Sequence, residues 1–183
     1  PDNGRLPTDR PHVFNIYGAY IFDWKGSKTN STEISGFQTI TSGTPQTTTI
    51  FGASSITPQI LRRRGDLGRS PVYSQTDLAL THRYRFGGEN RFTLAFDLNF
   101  LNLFDQQTVT GVYTTMNPSS ATVSAAALGL SQVAYANGYT SGTILNAILA
   151  RIASQPDRSD IRYKMPFLYQ SPRTVRFGFR ILF

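Results

Sequence analysis

Pro172-Arg-Thr-Val-Arg-Phe-Gly-Phe-Arg-Ile-Leu-Phe183 alternates residue by residue. Val175, Phe177, Phe179, Ile181 and Phe183 fall on one face; Thr174, Arg176, Gly178, Arg180 and Leu182 fall on the other. Successive side chains of a strand point to opposite sides of its sheet, so a period of two reads as a strand with one apolar and one basic face. Two settings fit such a strand. One is a soluble sandwich with a wet outer face; the other is a transmembrane barrel with lipid outside and a polar lumen within.

Working outward, the same alternation predicts strands near 12–22, 32–42, 74–86 and 91–104, besides the one at 173–183. In the first, Phe14, Ile16, Gly18, Tyr20 and Phe22 oppose Val13, Asn15, Tyr17 and Ala19. The second is weakly patterned, with Ile34, Gly36, Gln38 and Ile40 on one side. In the third, Leu78, Leu80, His82, Tyr84 and Phe86 oppose Asp77, Arg83 and Arg85. The cleanest is the fourth, where Phe92, Leu94, Phe96, Leu98 and Phe100 oppose Arg91, Asp97 and Asn99. Asp97 and Asn99 against a dry core would need specific partners, whereas a watery lumen accepts them without any.

The connections carry independent information. They run short, long, short, long: about 23–31, then 43–73, then the tight turn Gly87-Gly-Glu-Asn90, then 105–171. Outer-membrane barrels have short periplasmic turns and long extracellular loops, and a sandwich has no reason to sort its loops by end. Within the last connection, apolar residues at Ile144, Leu145, Ile148, Leu149 and Ile152 have helical spacing, with Ser141 or Thr143 as N-cap. Ala121 to Ala136 is a weaker second helix, and the strand count rises to six if Thr47–Phe51 pairs or a segment within 106–116 extends the fourth strand. The expected fold is all-β: one antiparallel transmembrane β-barrel sector of about five strands, with long extracellular loops and a short helix in one of them.

Composition agrees. Aromatic residues reach 13% of the 183 residues, with Phe and Tyr far ahead of Met and Trp, which favours sheet over helix. A formal charge of +7, mostly from arginine, is compatible with anionic ligands or lipopolysaccharide. There is no cysteine, so neither a disulfide nor a thiolate metal site exists. No run of about 18 apolar residues occurs, which excludes a transmembrane helix. No export signal is visible either, so a barrel reading places that signal upstream.

Residues for catalysis are sparse. His12 and His82 lack any serine–carboxylate pattern beside them, and His82 falls on an apolar strand face. Asp157 and Asp160 flank Arg158 without the ligand spacing of a calcium loop. Arg62-Arg-Arg64 lacks the interleaved aromatics of a nucleic-acid site and reads as a solvated or ligand-contacting run. Asn30-Ser-Thr32 matches a glycosylation acceptor, which carries no meaning in a periplasmic turn. The expectation is a non-enzymatic chain without cofactor, metal or nucleic acid.

Three stretches resemble the C-terminal end of TonB-dependent outer-membrane receptors, above all the Oar-like type with a carboxypeptidase-regulatory-like domain. They are Leu6-Pro-Thr-Asp-Arg-Pro-His-Val-Phe-Asn-Ile-Tyr-Gly-Ala-Tyr20, Phe96-Asp-Leu-Asn-Phe-Leu-Asn-Leu-Phe104, and Tyr169-Gln-Ser-Pro-Arg-Thr-Val-Arg-Phe-Gly-Phe-Arg-Ile-Leu-Phe183. The ending through Val175, Phe177, Phe179, Ile181 and Phe183 also resembles the terminal strand that the barrel assembly machinery recognises. The resemblance implies a bacterial outer-membrane location and a part in substrate uptake or passage. It implies partners too: the remainder of the barrel, outer-membrane lipid and lipopolysaccharide, and TonB only through a plug that this sequence lacks.

On that reading the lipid face carries Phe14, Ile16, Tyr20, Leu78, Leu80, Leu94, Phe96, Leu98, Phe177, Phe179 and Ile181. The lumen face carries Asn15, Asp77, Arg83, Asp97, Asn99, Arg176 and Arg180. Phe22, Tyr84, Phe86, Phe92 and Phe183 form an aromatic girdle at the periplasmic interface. Five strands leave two open edges that lipid cannot tolerate, so the barrel needs further strands, from a longer chain or from other chains. Two alternatives stand beside it: a surface or adhesion protein whose extracellular loops bind a partner, and a soluble β-sandwich binding module.

Overall fold

Runs of Phe, Tyr, Ile, Val and Thr in alternation with polar residues extend the backbone, because β-branched and aromatic side chains fit a pleated surface. A computed structural model describes residues 4–26, 29–51, 58–118, 124–138, 142–155 and 159–183. Its elements are β1 (Val13–Asp23), β2 (Asn30–Thr41), β3 (Thr49–Ile50), β4 (Gln59–Ile60), β5 (Tyr73–Phe86), β6 (Phe92–Leu101), β7 (Val109–Val112), α1 (Gln132–Gly138), α2 (Gly142–Ala153), β8 (Pro166–Tyr169) and β9 (Thr174–Leu182). The chain divides into two compact units. One comprises 11–42, 72–108 and 170–183, and the other comprises 1–10, 43–71 and 109–169.

The first unit is a five-stranded antiparallel meander in the order β1-β2-β5-β6-β9. Each strand pairs with the sheet strand before it in the chain. The sheet does not close on itself: β1 and β9 are its edges. The long connections leave β2 and β6 at one end, where Thr41 pairs with Tyr73 and Leu101 with Thr174. The short turns lie at the other end. In the β5–β6 turn positive φ falls on Gly87, Glu89 and Asn90 rather than on both glycines. A side chain at Gly87 would come within 2.9 Å of the Phe92 ring, so glycine there lets Phe92 fold back beside Phe86.

β6 stops at Leu101, three residues short of the expected end. Asn102 takes a left-handed backbone (φ 54) and is 2% exposed. Its side chain accepts the Gln106 N–H at 3.0 Å and donates to the carbonyls of Gln106 (2.9 Å) and Ser171 (2.8 Å). Its own N–H donates to Asp77 Oδ1 at 2.9 Å. Short polar side chains that bond locally are the non-glycine residues best suited to this conformation.

The second unit holds most of the buried hydrophobic residues. Ile50, Leu61, Ala125, Tyr135 and Ile152 form a core, flanked by Met116, Leu128, Leu130 and Leu149. The polar stretch 43–73 contributes the β3–β4 ladder, which corresponds to the pairing expected at Thr47–Phe51. The segment within 106–116 does not extend β6. It forms β7 and pairs with β8, a strand that the alternation did not show. α2 matches the expected helix, and α1 with a short helical turn at Ala126–Leu128 replaces the continuous Ala-rich helix. Ser141, Asp157 and Arg158 lie outside the described residues.

Candidate functional site

Register decides what each sheet face presents. Tyr20, Ile34, Leu80, Leu98 and Phe177 align in one row across all five strands, and Phe22, Thr32, His82, Phe96 and Phe179 in the next. All eleven residues expected on the apolar face lie on this one side. No layer covers them among the described residues: Phe14, Ile16, Tyr20, Phe96, Phe179 and Ile181 are each more than half exposed, and Phe177 is 83% exposed. The only buried hydrophobic residue of the sheet is Ala95, on the opposite face. Contiguous apolar surface of this extent marks an interaction site or a lipid contact.

The aromatics cluster at the end with the short turns. Tyr20 and Phe22 meet edge to face at 4.5 Å, and Tyr84, Phe86 and Phe92 form a stacked series with centroids 6.1 and 5.5 Å apart. Among them runs a polar chain that alternation could not reveal. Trp24 Nε1 donates to Thr32 Oγ1 at 2.8 Å, and Thr32 Oγ1 lies 2.8 Å from His82 Nδ1. Indole N–H is a donor only. Thr32 therefore accepts from Trp24 and is free to donate onward, and the histidine is a hydrogen-bonded member of the sheet.

The opposite face carries the charges. Arg83 pairs with Glu33 at 2.9 Å across β2 and β5. Asp97 accepts from Thr81 at 2.8 Å and from two nitrogens of Arg180, each at 3.0 Å. Asp97 stands directly opposite Gly178, where a side chain would approach its Cβ to 3.2 Å. The glycine leaves room for the carboxylate to reach Arg180 two residues along. Asp77 accepts from Gln75 at 2.8 Å. Asn99 and Arg176 face each other across β6 and β9. Asn15 lies on this side opposite Thr39, between exposed Val13 and Tyr17, so β1 makes this face less polar than its neighbours do.

Asp97 was expected to need no partners if its face is wet. It has three hydrogen bonds, because cross-strand spacing brings Thr81 and Arg180 within reach. Among the described residues no group of three or more histidine, aspartate or glutamate side chains is placed to hold a metal, and no helix is long and apolar enough to cross a membrane. Comparison with protein-family models, with curated proteins and with solved structures gives no significant match.

Proposed function

We propose that the five-stranded sheet is a sector of a bacterial outer-membrane β-barrel of the TonB-dependent, Oar-like receptor type, serving uptake or passage of a substrate across that membrane. The observation that carries this reading is the uncovered apolar face, continuous in register over β1, β2, β5, β6 and β9. In water, such a face forgoes about 1.5–3 kcal/mol per large side chain left unburied. In lipid it forgoes nothing. The ion-paired opposite face suits a hydrated lumen, and the aromatic cluster at the short-turn end suits a headgroup level. The open edges at β1 and β9 call for further strands, supplied by the remainder of the barrel. Lipopolysaccharide, outer-membrane lipid and the barrel assembly machinery are the partners this reading requires, with Val175, Phe177, Phe179, Ile181 and Phe183 as the assembly signal.

The test is fractionation and gel mobility. Recovery in the outer membrane, extraction only with detergent, and a band that shifts on boiling support the barrel. Purification without detergent as a monomer would favour the soluble sandwich module instead. One observation supports the adhesive alternative: the long connections build a core of their own around Ile50, Tyr135 and Ile152, as a binding domain would. Removing residues 106–170 would then abolish partner binding while the sheet stays folded.

A further inference from the structure

Thr32 and His82 interrupt the apolar face of the sheet near its short-turn end. They stand directly opposite each other on β2 and β5, in one row with Phe96 and Phe179. Counting protons assigns the direction of their bond. Trp24 Nε1 can only donate, and Thr32 Oγ1 accepts it at 2.8 Å. A Thr32 hydroxyl that donates in turn to His82 Nδ1, 2.8 Å away, satisfies both groups. The reverse direction would leave the Thr32 O–H without an acceptor among the described residues. The chain therefore runs from Trp24 to Thr32 to His82, and the imidazole carries its proton on Nε2. That N–H has no partner among the described residues. An N–H held away from water is costly to leave unpaired, so whatever covers it must bring an acceptor.

Depth decides which acceptor. His82 lies four residues before Phe86, the end of β5. At about 3.3 Å per residue and a strand tilt of about 40°, that is roughly 10 Å from the short-turn end. The interfacial layer of a bilayer is about 5–8 Å thick on each side. Trp24 and the rings of Tyr84, Phe86 and Phe92 occupy that layer on the membrane reading. His82 then sits where headgroups give way to acyl chains, at the level of the glycerol ester carbonyls.

Inward from this row lies a groove of about 510 Å³, walled by Leu80, Leu98, Phe96, Phe177 and Phe179, with Thr32 and His82 on its short-turn side. Phe96 and Phe179 tilt against each other at 5.1 Å, yet both stay more than half exposed. Asp97 and Gly178 also border the groove, but the Asp97 carboxylate belongs to the opposite face, where Thr81 and Arg180 hold it. An apolar trough with one N–H at its shallow end matches a hydrocarbon chain that begins in an ester.

We propose that this groove holds one acyl chain of a glycerophospholipid, whose ester carbonyl accepts from His82 Nε2. The inference rests on the membrane reading of the sheet and adds a fixed lipid position to it. Lipid that merely surrounds a barrel does not distinguish an ester from an ether; lipid held at this site does.

Trp24 is the only tryptophan of the chain and is bonded to Thr32 at the head of the groove, so its fluorescence reports occupancy. The membrane-reconstituted protein is placed in diacyl phospholipid brominated high in its acyl chains, which quenches a nearby indole. Unbrominated diester phospholipid, or its diether analogue of the same headgroup and chain length, is then mixed in. Recovery of emission gives the relative affinity of each. The diester is expected to displace the brominated lipid about fivefold better than the diether. His82→Phe keeps a ring in the groove and removes the N–H, and should bring that ratio to one. Thr32→Val, which releases the imidazole, should lower it. Ile16→Leu, on the same face but outside the groove, should leave it unchanged. Heat-shifted gel mobility checks that each variant is folded. A ratio of one in the unaltered protein, with Trp24 still quenched, overturns the site and leaves the membrane reading standing. A ratio that survives His82→Phe also overturns the site. Trp24 unquenched by any lipid would contradict the membrane reading, and the site with it.

Discussion

Asp97 on β6 and Arg180 on β9 are joined by two N–H···O bonds of 3.0 Å each, made diagonally past the bare backbone of Gly178. The pair ties the terminal strand to its only neighbour in the sheet. Arg180 is 59% exposed and Asp97 18%, so water screens the pair and the Coulomb gain is modest. Asp97→Asn should lower sheet stability by about 1 kcal/mol, and a double-mutant cycle with Arg180→Gln should return a coupling of about 0.5–1 kcal/mol. Denaturant midpoints read by gel mobility would measure both. A coupling near zero would reduce the pair to two unrelated surface charges.

Gly178→Ala tests the same contact from the other side. Its added methyl would meet Asp97 Cβ at 3.2 Å and displace the carboxylate from Arg180. A loss of about 1 kcal/mol is expected, and little of it should remain in an Asp97→Gly background, where both the Cβ and the carboxylate are gone. An undiminished loss in that background would assign the glycine to backbone conformation instead.

Asn102→Ala removes the partners of the Gln106 N–H and of the Gln106 and Ser171 carbonyls, beside a side chain that is itself buried. The expected loss is about 2–3 kcal/mol, read as earlier chemical unfolding of the β6 end. Asn102→Asp keeps the acceptor for Gln106 N–H but sets a carboxylate oxygen against both carbonyls, so it should destabilise at least as much as alanine. An alanine variant as stable as wild type would contradict the stapling role.

Asp160 lies outside the sheet, where the Arg162 side chain, and then the Arg162 backbone N–H, hold its carboxyl below the usual carboxylate range. A folded-state pKa below the unfolded one contributes stability that is fully present above the unfolded value of about 3.9. That contribution is lost as pH falls through the folded value. Hydrogen exchange around 159–165 should therefore quicken below about pH 4. Asp160→Asn should be faster at neutral pH and lack that step. A variant with the same acid step would place its origin elsewhere.

The residues that alternate in sequence were enough to read β1, β5, β6 and β9, because one face of each is apolar over four or more positions. β2 was legible mainly through its neighbours, since Gln38 and Gly36 break its apolar face. α2 could be read from its spacing, and Ile152 is buried as that spacing requires. The short ladders β3–β4 and β7–β8 were harder: two to four residues carry no period, and contacts distant in sequence decide them. Asn102 with its partners and the Trp24–Thr32–His82 chain have the same origin. Each joins residues tens of positions apart, and no local pattern announces such a meeting. Asp97 sat on the expected face, but its partners became visible only once the register placed Arg180 and Thr81 beside it.

The central claim is that one face of this sheet meets lipid and the other meets water, and the terminal strand offers its most direct measurement. The chain has no cysteine, so single cysteines can be introduced and spin-labelled at Val175, Arg176, Phe177, Phe179, Arg180 and Ile181 in the membrane-reconstituted protein. Contact with lipid-soluble oxygen should be high at Val175, Phe177, Phe179 and Ile181, and contact with an aqueous relaxation agent high at Arg176 and Arg180. Equal access of the aqueous agent to all six positions would contradict the account, as would an alternation of the opposite phase.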